Sequence, residues 1–154
     1  MQRVGWFRSS LGSRVVVSLT GLGLVGFVVF HMLGNLQVFE GPDALNSYAA
    51  MLRDMPMFLW AARIGLLGVA IFHIALAIQL ALRNRRARPA GYALREYRHA
   101  SVASRTMALT GSVLLVFVVF HLLHLTAGLA DPSSSNRLDA GGHADVFGKV
   151  VHAF

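Results

Sequence analysis

The chain contains no cysteine. That excludes a disulfide scaffold, thiolate-held iron–sulfur clusters and a cysteine nucleophile. Charge is scarce too: Asp, Glu, Lys and Arg make up only 14% of the 154 residues, and Asp and Glu together number 7. Three stretches, 15–39, 64–82 and 106–130, carry no Asp, Glu, Lys or Arg. Each is close to the roughly 20 residues that span a bilayer, and a soluble helix of that length would show a charged face. Motifs of metal hydrolases, nucleotide-binding loops and nucleophile elbows are absent, and the glycines at 21, 23 and 26 follow no strand, so they form no phosphate loop. What is present in quantity is hydrophobic side chain, 55% of the total, the composition of an integral membrane protein.

The net charge of +7 suggests nucleic acid until its distribution is examined. Arg3, Arg8 and Arg14 precede the first run, and Arg83, Arg85, Arg86, Arg88, Arg95, Arg98 and Arg105 fill the connection between the second and third. Glu40, Asp43 and Asp54, then Asp131, Asp139 and Asp145, lie in the other two connections. Basic flanks stay cytoplasmic, so the N-terminus and the loop 83–105 are expected inside. No nucleic acid partner is implied. The first run is too long for a signal-peptide core and no small-residue cleavage site follows it, so it reads as a retained span.

The expected fold is all-α: a transmembrane helical bundle, one domain over 1–154, with three full spans at about 15–36, 57–82 and 105–129. Residues 1–14, with Trp6 and Phe7, read as a basic amphipathic lead at the interface. Asp43 is expected to cap a short surface helix running to Met51, Pro56 to precede the second span with Trp60 in the aromatic belt, and Ser104 to cap the third. A fourth apolar segment begins near 146–154.

Part of the first span recurs in the third. Leu19-Thr20-Gly21 leads through Leu24 and Phe27-Val28-Val29-Phe30 to His31, and Leu109-Thr110-Gly111 leads through Leu114 and Phe117-Val118-Val119-Phe120 to His121. The second span carries Ile71-Phe72-His73. An imidazole in hydrocarbon is costly without a partner, and paired intramembrane histidines suit haem iron, which takes one ligand from each side. His31 lies 17 residues after Arg14 and His121 lies 16 after Arg105, each roughly 25 Å into the membrane from the inside. His73, ten residues before Arg83, lies roughly 15 Å from the inner surface. The depth count therefore expects an outer haem between His31 and His121 and a separate inner haem with His73 as one ligand. The stripes Thr20, Gly23, Leu24, Phe27, His31 and Thr110, Leu114, Phe117, His121 would line the outer site, or else are ordinary helix-packing faces. His124 shares the face of His121 and is a candidate for an alternative ligand, a propionate partner or a proton-handling group beside a quinone. Arg63 either snorkels to the interface or pairs with a propionate, while His99, His143 and His152 read as surface or outer-end residues.

An ordered set of motifs resembles a known family. His31-Met32-Leu33-Gly34-Asn35-Leu36, Gly41-Pro42-Asp43-Ala44-Leu45-Asn46-Ser47-Tyr48-Ala49, Arg63, His73-Ile74, Ala87-Arg88-Pro89-Ala90-Gly91-Tyr92 and Phe120-His121-Leu122-Leu123-His124 together resemble the di-haem cytochrome b membrane anchor of succinate dehydrogenase, respiratory complex II, and of the related fumarate reductases. The resemblance covers nearly the whole chain. It implies a five-helix bundle in the bacterial cytoplasmic membrane that docks a flavoprotein and an iron–sulfur subunit and passes electrons through haem b to a quinone, commonly menaquinone. Within that pattern His31 and His121 are the axial ligands of the distal haem, and His73 is one ligand of the proximal haem. Members continue into a fourth helix carrying the other proximal ligand and then a fifth, so this chain reads as incomplete at its end. Two other readings of the residues remain: the cytochrome b anchor of a hydrogenase or formate dehydrogenase, and a haem-free membrane protein whose histidines only hydrogen-bond between helices.

Overall fold

A computed structural model describes residues 9–87, 101–129 and 131–153. The expected interfacial lead, with Trp6 and Phe7, lies outside the described residues, as do Arg88, Arg95, Arg98, His99 and the motif 88–92. The described chain is all-α, and its only strand-like feature is an isolated bridge between Leu138 and Ala144.

Helix α1 (Ser10–Asn35) starts ahead of the uncharged run because Ser9 caps it, accepting from Gly12 N at 3.0 Å. Polar residues at the membrane surface continue a helix as well as apolar ones do, so the hydrophobic run marks the span and not the helix. A 3-10 turn, Leu36–Glu40, follows, and Gly41 reverses the chain with φ +106°, a left-handed conformation that suits glycine. Helix α2 (Pro42–Arg53) begins at the proline, whose fixed φ fits a first helical position. Asp43 thus sits inside the first turn and is not the cap expected from the sequence; there it meets the positive end of the helix dipole.

Helix α3 (Pro56–Arg86) also opens on proline and ends with Arg83, Arg85 and Arg86 in its last turn, where cations oppose the exposed carbonyls. Helix α4 (Val102–His121) is capped by Ser101, not by Ser104. The Ser101 hydroxyl accepts from Ser104 N at 3.2 Å, while the Ser104 hydroxyl turns back to donate to Ser101 O at 2.8 Å. After His121 the chain widens into a π-turn, Leu122–Thr126, closed by Ala127 N donating to Leu122 O at 2.8 Å. A short α5 (Pro132–Ser135) and then α6 (Val146–Ala153) complete the order.

Three helical segments, Leu11–Glu40, Pro56–Arg86 and Val102–Thr126, are long and apolar enough to cross a membrane. In their most apolar windows 0%, 6% and 0% of residues are buried, so the surface they offer is hydrocarbon: Phe30 is 74% exposed, Val116 70% and Leu22 69%. A water-soluble monomer does not carry such continuous apolar patches, whereas lipid covers them without cost. The chain is read accordingly as a membrane protein in contact with the bilayer.

Contacts group the described residues into two compact units. In the first (9–37 and 51–87) α1 packs against α3. In the second (38–50, 101–129 and 131–153) α2 is tied to the start of α6. Asn46, 5% exposed, donates to Asp145 Oδ1 at 3.2 Å and accepts from Phe147 N at 2.9 Å, and Asp145 accepts from Gly148 N at 2.8 Å. This exchange satisfies two N–H groups of the first turn of α6, a cap shared between side chains far apart in sequence.

Candidate functional site

His73 sits half-buried on α3, against α1. Its Nδ1 lies 2.9 Å from Thr20 Oγ1, and the ring reaches the α1 backbone at Gly21, where a Cβ would stand 3.1 Å from His73 Cε1. A side chain at 21 would crowd the ring, which glycine does not. Thr20 Oγ1 is also 2.7 Å from Val16 O and 3.1 Å from Val17 O. Thr20 is therefore engaged with α3 at its own level, so it does not simply extend the stripe that leads to His31.

Eleven residues of α1, about 16 Å of helix, separate Thr20 from His31. His31 is exposed on α1 with Phe27 stacked on it one turn earlier, ring centroids 5.4 Å apart and planes 20° from parallel. Asn35 folds back to donate to His31 O at 2.7 Å, and its amide nitrogen stands 3.4 Å from Nε2 and 3.5 Å from Nδ1, too far for strong bonds to the ring.

In the second unit, His121 is the last residue of α4 and pairs with Phe117, centroids 5.7 Å apart and planes at 31°. Leu109, Thr110, Val113, Leu114 and Phe117 line an open apolar groove of about 450 Å³ on the same helix. The Thr110 hydroxyl turns to its own backbone, 3.2 Å from both Thr106 O and Met107 O. His124 lies in the π-turn, with Phe120 tilted against it at 5.3 Å and 55°.

The remaining candidates lie apart from these. The Arg63 guanidinium sits 5.2 Å over the Trp60 ring, a cation–π contact of the kind that suits a side chain reaching for the membrane interface. His143 is exposed beside Asp139 at 3.8 Å, and His152 Nε2 lies 2.5 Å from Arg137 Nη1.

The donors on offer are single imidazoles on apolar helix faces, and no group of three or more His, Cys, Asp or Glu side chains converges among the described residues. That donor set fits haem, where the macrocycle supplies four nitrogens and the protein one on each side. Among the described residues nothing stands within 4 Å of a Cβ built on Gly23, Gly26 or Gly111, so those helix faces are open.

Sequence reasoning named the histidines and missed their partners. Thr20 could have been found, because it lies six residues after Arg14 and His73 ten before Arg83, about one helical turn apart in depth. Asn35 follows His31 by four residues, the spacing that brings helix side chains together. The π-turn has no comparable signal in the residues.

No protein-family model, no curated protein and no solved structure matches this chain.

Proposed function

We propose that this chain is the haem-binding membrane anchor of a succinate:quinone oxidoreductase in a bacterial cytoplasmic membrane, its N-terminus inside. The observation that carries the reading is the repeated segment ending in His31 and His121, each reached after an apolar run with a Phe ring beside it one turn earlier, within an ordered set of motifs resembling that family. His31 and His121 would hold one haem b, and His73 would be one ligand of a second. The haem supplies one-electron transfer between iron–sulfur and flavoprotein partners and a quinone such as menaquinone. The residues of this chain hold and orient; succinate oxidation belongs to the partner flavoprotein. Two histidines on one iron would leave no open position, which suits electron transfer better than oxygen binding.

The Thr20–His73 bond is also what a haem-free reading calls for, in which the histidines only join helices. An absorption spectrum of the purified full chain separates the two. Bands of low-spin haem b support the proposal, and their absence refutes it. Copurification of a flavoprotein rather than a metal–hydride enzyme separates it from a hydrogenase or formate dehydrogenase anchor. Neutralising Arg85, Arg86 and Arg88 together should loosen the soluble subunits several-fold at low salt and less at high salt, where exposed charge contacts are already screened. Retention unchanged at every ionic strength would leave those arginines as topology determinants alone.

A further inference from the structure

A hydroxyl carries one hydrogen and accepts at its lone pairs, so the neighbours of Thr20 decide where its proton goes. Two of them, Val16 O and Val17 O, are carbonyls and cannot donate. The closer, at 2.7 Å, takes the hydroxyl hydrogen, the usual fate of Ser and Thr in a helix. Thr106, Thr110 and Ser112 turn back on α4 in the same way. Toward His73 Nδ1, 2.9 Å away, Thr20 Oγ1 is then the acceptor, and the proton of that bond sits on Nδ1. A neutral imidazole protonated at Nδ1 has its lone pair on Nε2.

From this we infer that Thr20 and Gly21 are positioning residues for His73. Thr20 selects the Nδ1–H tautomer and leaves Nε2 as the ligating nitrogen, and Gly21 lets the ring come close enough for the bond to form. The inference rests on the haem reading above and sharpens it by naming the atom and what prepares it. A partner that accepts from the far nitrogen makes the ligating one more basic, which favours ferric iron. Thr110, at the matching place in the repeat and bonded to its own backbone, is the natural control for Thr20.

The test uses the assembled complex, with the midpoint potential and ferric electron paramagnetic resonance spectrum of each haem as readouts. Thr20→Val should raise the potential of the one haem that His73→Ala abolishes and change its g values, leaving the other untouched. Thr20→Ser should restore both properties, and Gly21→Val should lower occupancy of that same centre. A Thr20→Val complex with both haems unchanged, or with the shift on the other haem, overturns the inference. Failure of the haem reading is seen separately, as a wild-type complex without haem bands. Independently of haem, the ¹⁵N resonances of His73 in the ¹⁵N-histidine-labelled full chain report the tautomer: a protonated Nδ1 supports the assignment, and a protonated Nε2 refutes it.

Discussion

Segments 19–31 and 109–121 share the same key residues and part company structurally at both ends. In the middle they agree. Phe27 pairs with His31 and Phe117 with His121 at nearly the same distance, stacked in the first copy and tilted in the second, because a four-residue spacing on a helix is a local instruction that needs no help from elsewhere. At the N-terminal end Thr20 reaches a histidine on α3, whereas the Thr110 hydroxyl turns to its own backbone. At the C-terminal end α1 runs on past His31 to Asn35, whereas α4 gives up its α geometry at His121. Like residues thus secure like ring pairs, while the polar partners around them depend on which neighbour each helix has.

The largest effect should come from the histidines themselves. If the two copies serve one haem, His31→Ala and His121→Ala each remove the same centre entirely and His73→Ala removes the other, as read by potentiometric spectra of the complex. Loss of different centres from the His31 and His121 variants would break the equivalence of the copies.

Truncating the paired rings should weaken both copies alike. Phe27→Ala and Phe117→Ala each give up an aromatic pair worth about 0.5–1.5 kcal/mol beyond its area, so haem retention should fall by up to roughly tenfold in each. Unequal losses, measured by haem release in detergent, would mean that local geometry does not set the strength of these sites.

His124 has no histidine counterpart in the first copy. His124→Ala should keep both haems bound, with at most a shift in one potential, and loss of the His121 centre would make His124 the ligand instead. Smallest of all is Thr110→Val, expected to change thermal stability by no more than about 0.5 kcal/mol and to move neither potential. A shift as large as that of Thr20→Val would erase the distinction between the two threonines.

The spans were legible because an uncharged run of such length has one physical explanation, and the histidines because their presence in hydrocarbon demands one. Where each helix begins was less legible. Ser101 and Ser104 offer the same side chain, and the choice falls to the one whose hydroxyl can reach forward to an N–H. Asp43 resembles a cap by type, yet Pro42 beside it already fits the first helical position. The Asn46–Asp145 tie could not be read at all, since it depends on segments distant in sequence. Thr20 was visible as a residue but not as a partner, because a stripe drawn on one helix omits the helix packed against it.

The π-turn also governs how the copies may be aligned. A ring closed from i to i+5 holds one residue more than an α turn, and the 3-10 turn after Asn35 holds one fewer. Numbering and position along the axis therefore drift apart in opposite senses, after Asn35 in the first copy and after His121 in the second. Gly34 and His124 correspond by count, but His124 already lies inside the wider turn. An alignment faithful to place needs a gap after His121, and one drawn without it pairs the wrong residues beyond that point.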